Sequence, residues 1–280
     1  MQLPFQVDLT DTVAAVTGGT GILCSEMAKA LAAAGAKVAV LGRNMTKGEA
    51  IVDEIRKAGG TAIACPCDVL NIGSIQNAYS TIRDAFGPVN LLVNGAGGNH
   101  PDGTAAKETA RPEDIGEGTF FELDPESVRF VMDLNYQSVV LTTQVFAKEM
   151  ARSGKGNIIN ISSMSAFLPL TKVMSYSSAK AALNNLTAWL AVHLAPCGVR
   201  VNAIAPGFFL TTQNRGLLLD SEGKPSPRCQ KILSQTPMNR LGEPQELLGA
   251  LLYLASDQAS GFVTGIVLPV DGGFSAYSGV

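Results

Sequence analysis

Short apolar runs alternate with helical patterns over residues 13–270 of this chain. The first run, Val13-Ala14-Ala15-Val16, precedes an Ala-rich helical pattern near residues 25–34, which Gly35 ends in the usual way. The runs are apolar on both faces, which is typical of parallel strands that helices cover on both sides. The alternation therefore predicts an α/β fold, a single Rossmann-type doubly wound parallel sheet with helices on both faces.

The same pattern predicts the organisation of the chain. Strands are predicted at residues 13–16, 37–41, 62–65, 89–93, 157–161, 200–204 and 265–269. No linker rich in Pro, Gly or Ser divides them, so we expect one domain over residues 1–280. Two long segments follow the carboxyl ends of strands, where open α/β sheets bind ligands. We expect a substrate-loop insertion at residues 98–124 and a lid at residues 208–237.

Composition and charge exclude several classes of function. The chain is 46% hydrophobic and 16% charged, which favours a large buried core over disorder. A net charge of −3 without a basic run indicates neither a nucleic-acid partner nor an anionic membrane surface. No apolar run approaches the roughly 20 residues that span a bilayer, and residues 1–8 lack a leader pattern, so we expect a cytoplasmic protein. Five cysteines and two histidines without ligand spacing predict no metal site.

A glycine-rich turn joins the first strand to the first helix. Its sequence is Thr17-Gly18-Gly19-Thr20-Gly21-Ile22-Leu23-Cys24. Glycines in this context let the backbone turn tightly and approach a pyrophosphate, whose charge suits the N-terminus of the helix. The turn therefore predicts a dinucleotide cofactor.

The end of the second predicted strand bears on which dinucleotide it is. An acidic residue there would accept hydrogen bonds from a ribose 2′-hydroxyl and favour NAD, but the chain has Gly42-Arg43-Asn44. Arg43 could pair with a 2′-phosphate. NADP is therefore favoured, and NAD stays open.

Tyr176 and Lys180 form a Tyr-x-x-x-Lys pattern on a predicted helix. This spacing places both side chains on one face, a turn apart. An ammonium beside a phenol stabilises the phenolate, which would lower the pKa of the tyrosine from about 10 toward neutrality. A serine hydroxyl such as that of Ser163 could hold the oxygen of the reacting group. These residues predict proton transfer at an oxygen bonded to carbon.

Collinear motifs over nearly the whole chain resemble those of the short-chain dehydrogenases/reductases. They are the glycine-rich turn at residues 17–24, Cys67-Asp68-Val69, Asn94-Gly95-Ala96-Gly97, Asn135, Ser163, Tyr176 with Lys180, and Pro206-Gly207 with Thr211. The resemblance implies transfer of a hydride between a nicotinamide cofactor and carbon, coupled to transfer of a proton at oxygen.

The resemblance implies a catalytic set of Asn135, Ser163, Tyr176 and Lys180. Tyr176 would be the general acid in reduction and the general base in oxidation, and Ser163 would position the substrate oxygen. Lys180 would lower the pKa of Tyr176 and bind the nicotinamide ribose, and Asn135 would hold a water that links Lys180 to solvent. The expected cofactor-binding residues are Gly18, Thr20, Gly21, Ile22, Arg43, Asn44, Asp68, Val69, Asn94, Ala96, Gly97, Tyr176, Lys180, Pro206, Gly207 and Thr211.

The sequence departs from the family pattern in two places. Many members have glycine at the positions of Ile22 and Cys24, and Asn-Asn-Ala-Gly where this chain has Asn-Gly-Ala-Gly at residues 94–97. We expect Gly19 and Gly21 to keep the turn flexible and Cys24 to pack between helix and strand. The phosphate loop would then be slightly altered but retained.

The two long segments bear on the substrate. Their motifs Gly98-Asn99-His100-Pro101, Thr119-Phe120-Phe121 and residues 208–215 resemble the D-mannonate oxidoreductase, or fructuronate reductase, branch of the family. Expected substrate contacts are Asn99, His100, Gln213 and Arg215, with Arg215 suited to clamp a carboxylate. The reaction would reduce the ketone of D-fructuronate to D-mannonate.

Several alternatives remain open at this point. They are a gluconate 5-dehydrogenase-like enzyme or another polyol or keto-acid reductase, a 3-oxoacyl carrier-protein reductase, and a dinucleotide-sensing protein without turnover. Polar loops suit a sugar acid better than an acyl chain, and a sensor would be expected to lose part of the catalytic set. The family resemblance also suggests a homotetramer.

Overall fold

The computed structural model describes residues 7–211 and 214–279, except for the side chain of Leu217. Its centre is one sheet of seven parallel strands in the order β3-β2-β1-β4-β5-β6-β7. The strands are β1 (Val13–Thr17), β2 (Lys37–Gly42), β3 (Thr61–Pro66), β4 (Leu91–Asn94), β5 (Gly156–Ile161), β6 (Val199–Pro206) and β7 (Val267–Val270). The predicted parallel α/β sheet is confirmed, and the predicted strands differ from the observed ones by a few residues at their ends.

Helices connect the strands and pack against both faces of the sheet. They are α1 (Ile22–Ala33), α2 (Met45–Lys57), α3 (Ile72–Phe86), α4 (Pro125–Met132), α5 (Ser138–Ser153), α6 (Met174–Leu194), α7 (Arg215–Leu218), α8 (Pro227–Ser234), α9 (Leu248–Ala255) and α10 (Asp257–Ser260). A π-helical turn, Asp133–Gln137, joins α4 to α5. Short 3-10 turns lie at Pro101–Gly103, Pro112–Asp114, Phe120–Glu122, Met164–Ala166, Ala195–Cys197, Pro244–Leu247 and Phe274–Ala276.

Two apolar clusters, one on each face of the sheet, form the core. Leu31 of α1, Val52 of α2 and Leu251 of α9 belong to one cluster. Phe146 of α5 belongs to the other, together with side chains of α3 and α6. Burial on both faces explains why the strand sequences are apolar without alternation.

The strand order changes direction at β1, which pairs with β2 on one side and β4 on the other. The connections from β1 and β4 leave on opposite sides, so a crevice opens at the carboxyl ends of these strands. None of the helices within residues 7–211 and 214–279 is both long and apolar enough to cross a bilayer.

The two long segments contact each other and the approach to α6. The backbone N–H of Ala105 donates to the carbonyl of Lys172 at 2.8 Å. Lys231 on α8 forms an ion pair with Glu108 at 3.0 Å. The insertion therefore bridges the segment after β6 and the turn that leads into α6.

Candidate active site

A cleft of about 450 Å³ lies over the carboxyl ends of the central strands. Most of the expected cofactor and catalytic residues line it, together with several that the sequence did not indicate. The lining residues are Gly18, Thr20, Gly21, Ile22, Leu23, Cys24, Gly42, Arg43, Cys67, Asp68, Val69, Leu70, Gly95, Ala96, Gly97, Gly98, Phe130, Leu134, Ile161, Ser162, Ser163, Tyr176, Lys180, Pro206 and Gly207.

The glycine-rich turn packs closely against the end of β4. Gly18 has a φ of 63°, and a Cβ there would lie 2.8 Å from the backbone of Ala96. The hydroxyl oxygen of Thr17 accepts hydrogen bonds from the N–H groups of Gly95 at 3.0 Å and Ala96 at 3.3 Å. Only glycine fits at residue 18, because the backbone is left-handed there and another backbone lies in contact.

The first turn of α1 opens into the cleft. Gly21 caps the helix without a side-chain hydrogen bond, so the first N–H groups of α1 remain available to a phosphate. The charged residues on the lining are Arg43, Lys180 and Asp68, which gives the cleft a cationic excess. These features fit the pyrophosphate of a dinucleotide.

Arg43 and Asn44 follow β2 at the rim of the cleft. Arg43 is exposed, and with Thr20 and Asn44 it lines an open hollow beside the cleft. The side chain of Asn44 caps α2 by accepting from the N–H of Lys47 at 3.0 Å. The cap gives Asn44 a structural role in α2. Arg43 has no such role, because a cation does not stabilise the N-terminus of a helix.

Tyr176 and Lys180 lie together on one face of α6, as the spacing predicts. Lys180 Nζ is 5.6 Å from the centroid of the Tyr176 ring and donates to the carbonyl of Ile161 at 2.8 Å. That carbonyl ends β5, so the sheet holds the ammonium beside the phenol. Burial lowers the pKa of Lys180 to about 8.

Ser163 faces Tyr176 from the end of β5. Its Oγ accepts hydrogen bonds from the N–H of Ser165 at 3.2 Å and from the Ser165 hydroxyl at 3.0 Å. Those two donors leave the Ser163 hydroxyl hydrogen to be donated on the side that faces Tyr176. Ser165 is a buried orienting residue that the sequence did not single out.

The pKa of Tyr176 differs from the sequence-based expectation. Burial raises it above its ordinary value of 10.0, and a hydrogen bond with Ser163 acts in the opposite direction. Lys180 Nζ lies 5.6 Å from the ring centroid and gives its hydrogen bond to Ile161, so its effect on the pKa of Tyr176 stays a prediction. The hydrogen bond with Ser163 favours the phenolate.

Asn135 lies in the π-helical turn and is fully buried. Its amide nitrogen donates to the carbonyls of Gly98 at 2.6 Å and Val131 at 2.8 Å, and its oxygen accepts from the N–H of Gly98 at 3.1 Å. A Cβ on Gly97 would lie 2.7 Å from that oxygen and 3.3 Å from Lys180 Nζ. Asn135 thus fixes the backbone that runs past the lysine, at a local π-helix of the kind often found at functional sites.

Comparison with known proteins agrees with this site. The model of the short chain dehydrogenase family matches residues 12–221. The protein belongs to the short-chain dehydrogenase family. It is therefore an oxidoreductase of a family that binds NAD or NADP and acts on alcohol and ketone groups.

Similar proteins match this dehydrogenase along its full length. The uncharacterized oxidoreductase UxuB of Bacillus subtilis (strain 168) is 52% identical, over 99% of this chain and 100% of its own. A structure of a candidate D-mannonate oxidoreductase from Haemophilus influenzae with bound NAD is 48% identical, with a TM-score of 0.93 and 100% of each chain covered. A gluconate 5-dehydrogenase from Burkholderia cenocepacia J2315 in complex with NADP and tartrate is 29% identical, with a TM-score of 0.82 and 98% of each chain covered.

Some of the expected cofactor residues lie away from the cleft of this dehydrogenase. The Asn94 side chain is buried and donates to Asn160 at 2.9 Å, and the Thr142 hydroxyl donates to it at 2.7 Å. Thr211 Oγ1 accepts from the N–H of Asn214 at 3.3 Å and does not line the cleft. Both residues therefore have local structural partners.

The insertion of the dehydrogenase places His100 beside the cleft wall. The His100 ring meets Phe130, which lines the cleft, edge to face at 5.8 Å between centroids. Its Nδ1 accepts weakly from the N–H of Asp102 at 3.3 Å. The Asn99 amide donates to Thr104 at 2.6 Å, so Asn99 shapes the loop.

The segment after β6 carries the other expected substrate residues. Gln213 lies outside the described residues. Arg215 is exposed at the start of α7 and does not line the cleft. An ion pair joins Lys231 of α8 to both carboxylate oxygens of Glu108 at 3.0 Å. No sequence pattern predicts this pair, because the two residues are far apart in the chain.

Proposed function

We propose that this short-chain dehydrogenase transfers a hydride between a nicotinamide cofactor and a sugar acid, and that it reduces the ketone of D-fructuronate to D-mannonate. The observation that carries the proposal is the full-length similarity, at 48% identity, to the candidate D-mannonate oxidoreductase. Arg215, on the segment after β6, agrees with an anionic substrate. The proposal extends the oxidoreductase activity of the family to one substrate class.

The cofactor, when bound, supplies or accepts the hydride at its nicotinamide ring. Tyr176 gives a proton to the substrate oxygen in reduction and takes it back in oxidation. Ser165 donates two hydrogen bonds to Ser163 Oγ, so the Ser163 hydroxyl hydrogen is directed to the Tyr176 side, where it would pass from the phenol oxygen to the substrate oxygen. A protonated Tyr176 is the form that reduction requires, and burial favours it.

Lys180 and Asn135 keep the proton donor in place. The Lys180 ammonium, anchored on the Ile161 carbonyl, stabilises negative charge that develops on the phenol oxygen and donates to the ribose hydroxyls of the cofactor. Asn135 holds the Gly98 backbone through both polar atoms of its amide. Gly98 is the first residue of the insertion. The four residues act as one unit.

The cleft residues supply the cofactor contacts. The turn at Gly18, Thr20, Gly21 and Ile22 binds the pyrophosphate, and Asp68 and Val69 bind the adenine. Ala96 and Gly97 follow the ribose, and Pro206 and Gly207 hold the carboxamide. All of these line one continuous cleft.

The cofactor preference depends on Arg43. An exposed guanidinium at the end of β2, with no acidic residue in the Gly42-Arg43-Asn44 sequence, suits a 2′-phosphate. We propose that NADP is preferred and NAD accepted. The candidate D-mannonate oxidoreductase with bound NAD supports the use of NAD as well.

The two long segments form the substrate side of the site. His100, next to the cleft wall, and Arg215 on α7 are the proposed contacts for hydroxyl and carboxylate groups, and Asn99 and Gln213 are further proposed contacts. Residues 98–124 act as the substrate loop and residues 208–237 as the lid, within a single domain of residues 1–280. The Glu108–Lys231 ion pair joins loop to lid.

Oxidation of D-mannonate tests the reaction directly. Purified protein with D-mannonate and NADP or NAD is expected to produce reduced cofactor, with D-fructuronate as product by chromatography. D-Gluconate serves as the comparison substrate, because it has the same carboxylate and chain length but a different hydroxyl configuration. No turnover of D-mannonate with either cofactor would overturn the proposal.

A second candidate is a gluconate 5-dehydrogenase-like enzyme. The full-length similarity to the Burkholderia cenocepacia enzyme at 29% identity favours it, and faster turnover of gluconate than of mannonate would select it. A dinucleotide sensor without turnover is a remote alternative, because the sequence retains Asn135, Ser163, Tyr176 and Lys180.

We also propose a homotetramer. Large apolar side chains are exposed on the outer face of α6 and near β7, among them Trp189 at 56%, Val192 at 78% and Phe262 fully. Subunit contacts would cover this surface. Light scattering of the purified chain measures the mass directly.

A further inference from the structure

The side chain of Cys24 fills the space beside Gly95. Cys24 is buried on the first turn of α1, and Gly95 follows β4 directly opposite. A Cβ added to Gly95 would lie 2.2 Å from Cys24 Sγ, far inside any van der Waals contact. The thiol therefore fills the volume that a side chain at residue 95 would otherwise take.

The contact lies under the floor of the cofactor cleft. Both residues line the cleft, and Cys24 Sγ is 3.7 Å from the carbonyl oxygen of Gly95, within reach of a weak S–H···O hydrogen bond. Gly18 presses on Ala96 in the same way, with 2.8 Å between its virtual Cβ and the Ala96 backbone. These two close contacts pack the glycine-rich turn against the residues that follow β4.

The strand end carries this contact toward the catalytic lysine. Gly97 follows Gly95 after one residue, and a Cβ at Gly97 would meet Asn135 Oδ1 at 2.7 Å and Lys180 Nζ at 3.3 Å. Residues 95–97 therefore run between α1 on one side and the Asn135 and Lys180 side chains on the other. Cores are close-packed, so a displacement at Gly95 is passed on rather than absorbed.

Both residues also stand at positions where the sequence departs from the pattern of the family that it resembles. Cys24 stands where many members have glycine, and Gly95 where they have asparagine. Each departure alone would disturb the site: a side chain added on the helix, or one removed from the strand end. Together they compensate, because the side chain added on α1 fills the space left by the side chain that is missing after β4.

We infer that Cys24 is a positioning residue for cofactor binding, and that Cys24 and Gly95 form a complementary pair in which the thiol sets the position of residues 95–97. It acts through this backbone and does not need to touch the reacting atoms. Burial raises the pKa of Cys24 to about 11, so the thiol stays protonated and unreactive at neutral pH. The inference depends on cofactor occupying this cleft, and not on which sugar acid is the substrate.

A double-mutant cycle on the full-length protein tests the pair. The readout is the Kd for reduced cofactor, measured by cofactor fluorescence without any substrate. Gly95→Ala is expected to raise the Kd about tenfold or more, because the added methyl overpacks the contact. In Gly95→Ala/Cys24→Ala the Sγ is gone, and the nearest atom to the new Cβ is the Thr17 carbonyl oxygen at 3.0 Å. We expect that variant to recover most of the lost affinity.

Cys65 provides the matched control. It is a free, fully buried cysteine on β3 that does not line the cleft. Gly95→Ala/Cys65→Ala removes a buried thiol of the same kind elsewhere, so the Kd should stay as high as in Gly95→Ala. Cys24→Ala alone should raise the KM for cofactor about threefold and change kcat less, as expected for a small cavity under the cofactor. Cys65→Ala should move neither constant.

These variants distinguish a specific Cys24–Gly95 contact from a general effect of losing a buried thiol. Recovery with Cys24→Ala and not with Cys65→Ala supports the pair. Equal recovery with both, or with neither, overturns it. If Gly95→Ala yields no folded protein by circular dichroism, a folded and cofactor-binding Gly95→Ala/Cys24→Ala supports the pair, and an unfolded one overturns it. A protein that binds cofactor but does not oxidise D-mannonate would refute the proposed substrate and leave this result unaffected.

Discussion

Lys180 Nζ lies over the Tyr176 ring, 5.6 Å from its centroid. Its hydrogen bond goes to the Ile161 carbonyl at 2.8 Å. The ammonium is therefore held by the sheet and acts on Tyr176 as a nearby charge. Ser163 is the residue that hydrogen-bonds to the tyrosine.

Replacement of the tyrosine hydroxyl tests its role as proton donor. Tyr176→Phe is expected to lower kcat about 100-fold or more, because general acid catalysis contributes on that scale. The Kd for cofactor should change less than about twofold, since the ring and Lys180 remain in place. Tyr253→Phe, a half-exposed tyrosine on α9, is the matched control and should keep full activity. Retention of more than half the activity in Tyr176→Phe would contradict the role.

The pH dependence of reduction should report Lys180. Burial lowers the pKa of Lys180 from 10.5 to about 8, so the ammonium is lost as pH rises through that value. We expect kcat/KM for the reduced cofactor, which reports groups of the free enzyme, to fall above pH 8. Between pH 8 and 10.5 the unfolded chain keeps this proton longer than the native chain does. The contribution of Lys180 to the free energy of unfolding therefore increases with pH. Titration of Lys180 does not unfold the protein, so unfolding does not explain the fall in kcat/KM.

Lys180→Arg identifies the titrating group. Arginine stays charged across this range, so the variant, though slower, should show no decline near pH 8. A decline at the same pH in both proteins would assign it to another group.

Cofactor preference is expected to depend on Arg43. Arg43→Ala should lower kcat/KM for NADPH about tenfold, since a charge-assisted pair with a 2′-phosphate is lost, and should change that for NADH little. Lys47→Ala removes a cation from the first turn of α2, which does not line the cleft, and should leave both values unchanged. Equal losses for the two cofactors in Arg43→Ala would exclude a 2′-phosphate contact.

The ion pair between loop and lid is expected to affect substrate binding more than stability. Glu108 and Lys231 are largely exposed, and exposed pairs contribute little to the free energy of unfolding. Glu108→Lys should raise the KM for the sugar acid severalfold by placing the new charge against Lys231, while the melting temperature stays nearly constant.

The reciprocal exchange Glu108→Lys/Lys231→Glu should restore the KM for the sugar acid. Lys224→Glu, in an exposed pair with Glu222 confined to the segment after β6, is the control and should have no effect. No rise in KM with Glu108→Lys would show that the two segments do not act together.

The sequence predicted the sheet because its strands are buried on both faces, and apolar runs such as residues 37–41 leave a clear signal. It also predicted the proximity of Tyr176 and Lys180, because helical spacing alone brings them together. It did not predict the pairing of Cys24 with Gly95, which depends on how closely α1 approaches β4. The sequence shows that each residue departs from the family pattern, but it contains no information on the distance between them.

The hydrogen-bond partner of Lys180 was not predicted, for a related reason. Spacing on a helix fixes which face a side chain occupies, but not which acceptor it chooses. The Ile161 carbonyl comes from another element, and it holds the Lys180 ammonium over the ring. The Glu108–Lys231 pair, with its two residues far apart in the chain, is likewise a product of tertiary structure.

The most direct test of the account is the reduction of D-fructuronate by the purified protein, compared with 5-ketogluconate under the same conditions and with both reduced cofactors. The two ketones share the carboxylate and the position of the carbonyl and differ in the configuration of one hydroxyl carbon, so the comparison tests recognition of the sugar-acid configuration. We expect a kcat/KM for D-fructuronate at least about tenfold higher than that for 5-ketogluconate, equivalent to about 1.4 kcal/mol of transition-state discrimination. A kcat/KM for D-fructuronate equal to or below that for 5-ketogluconate would contradict it.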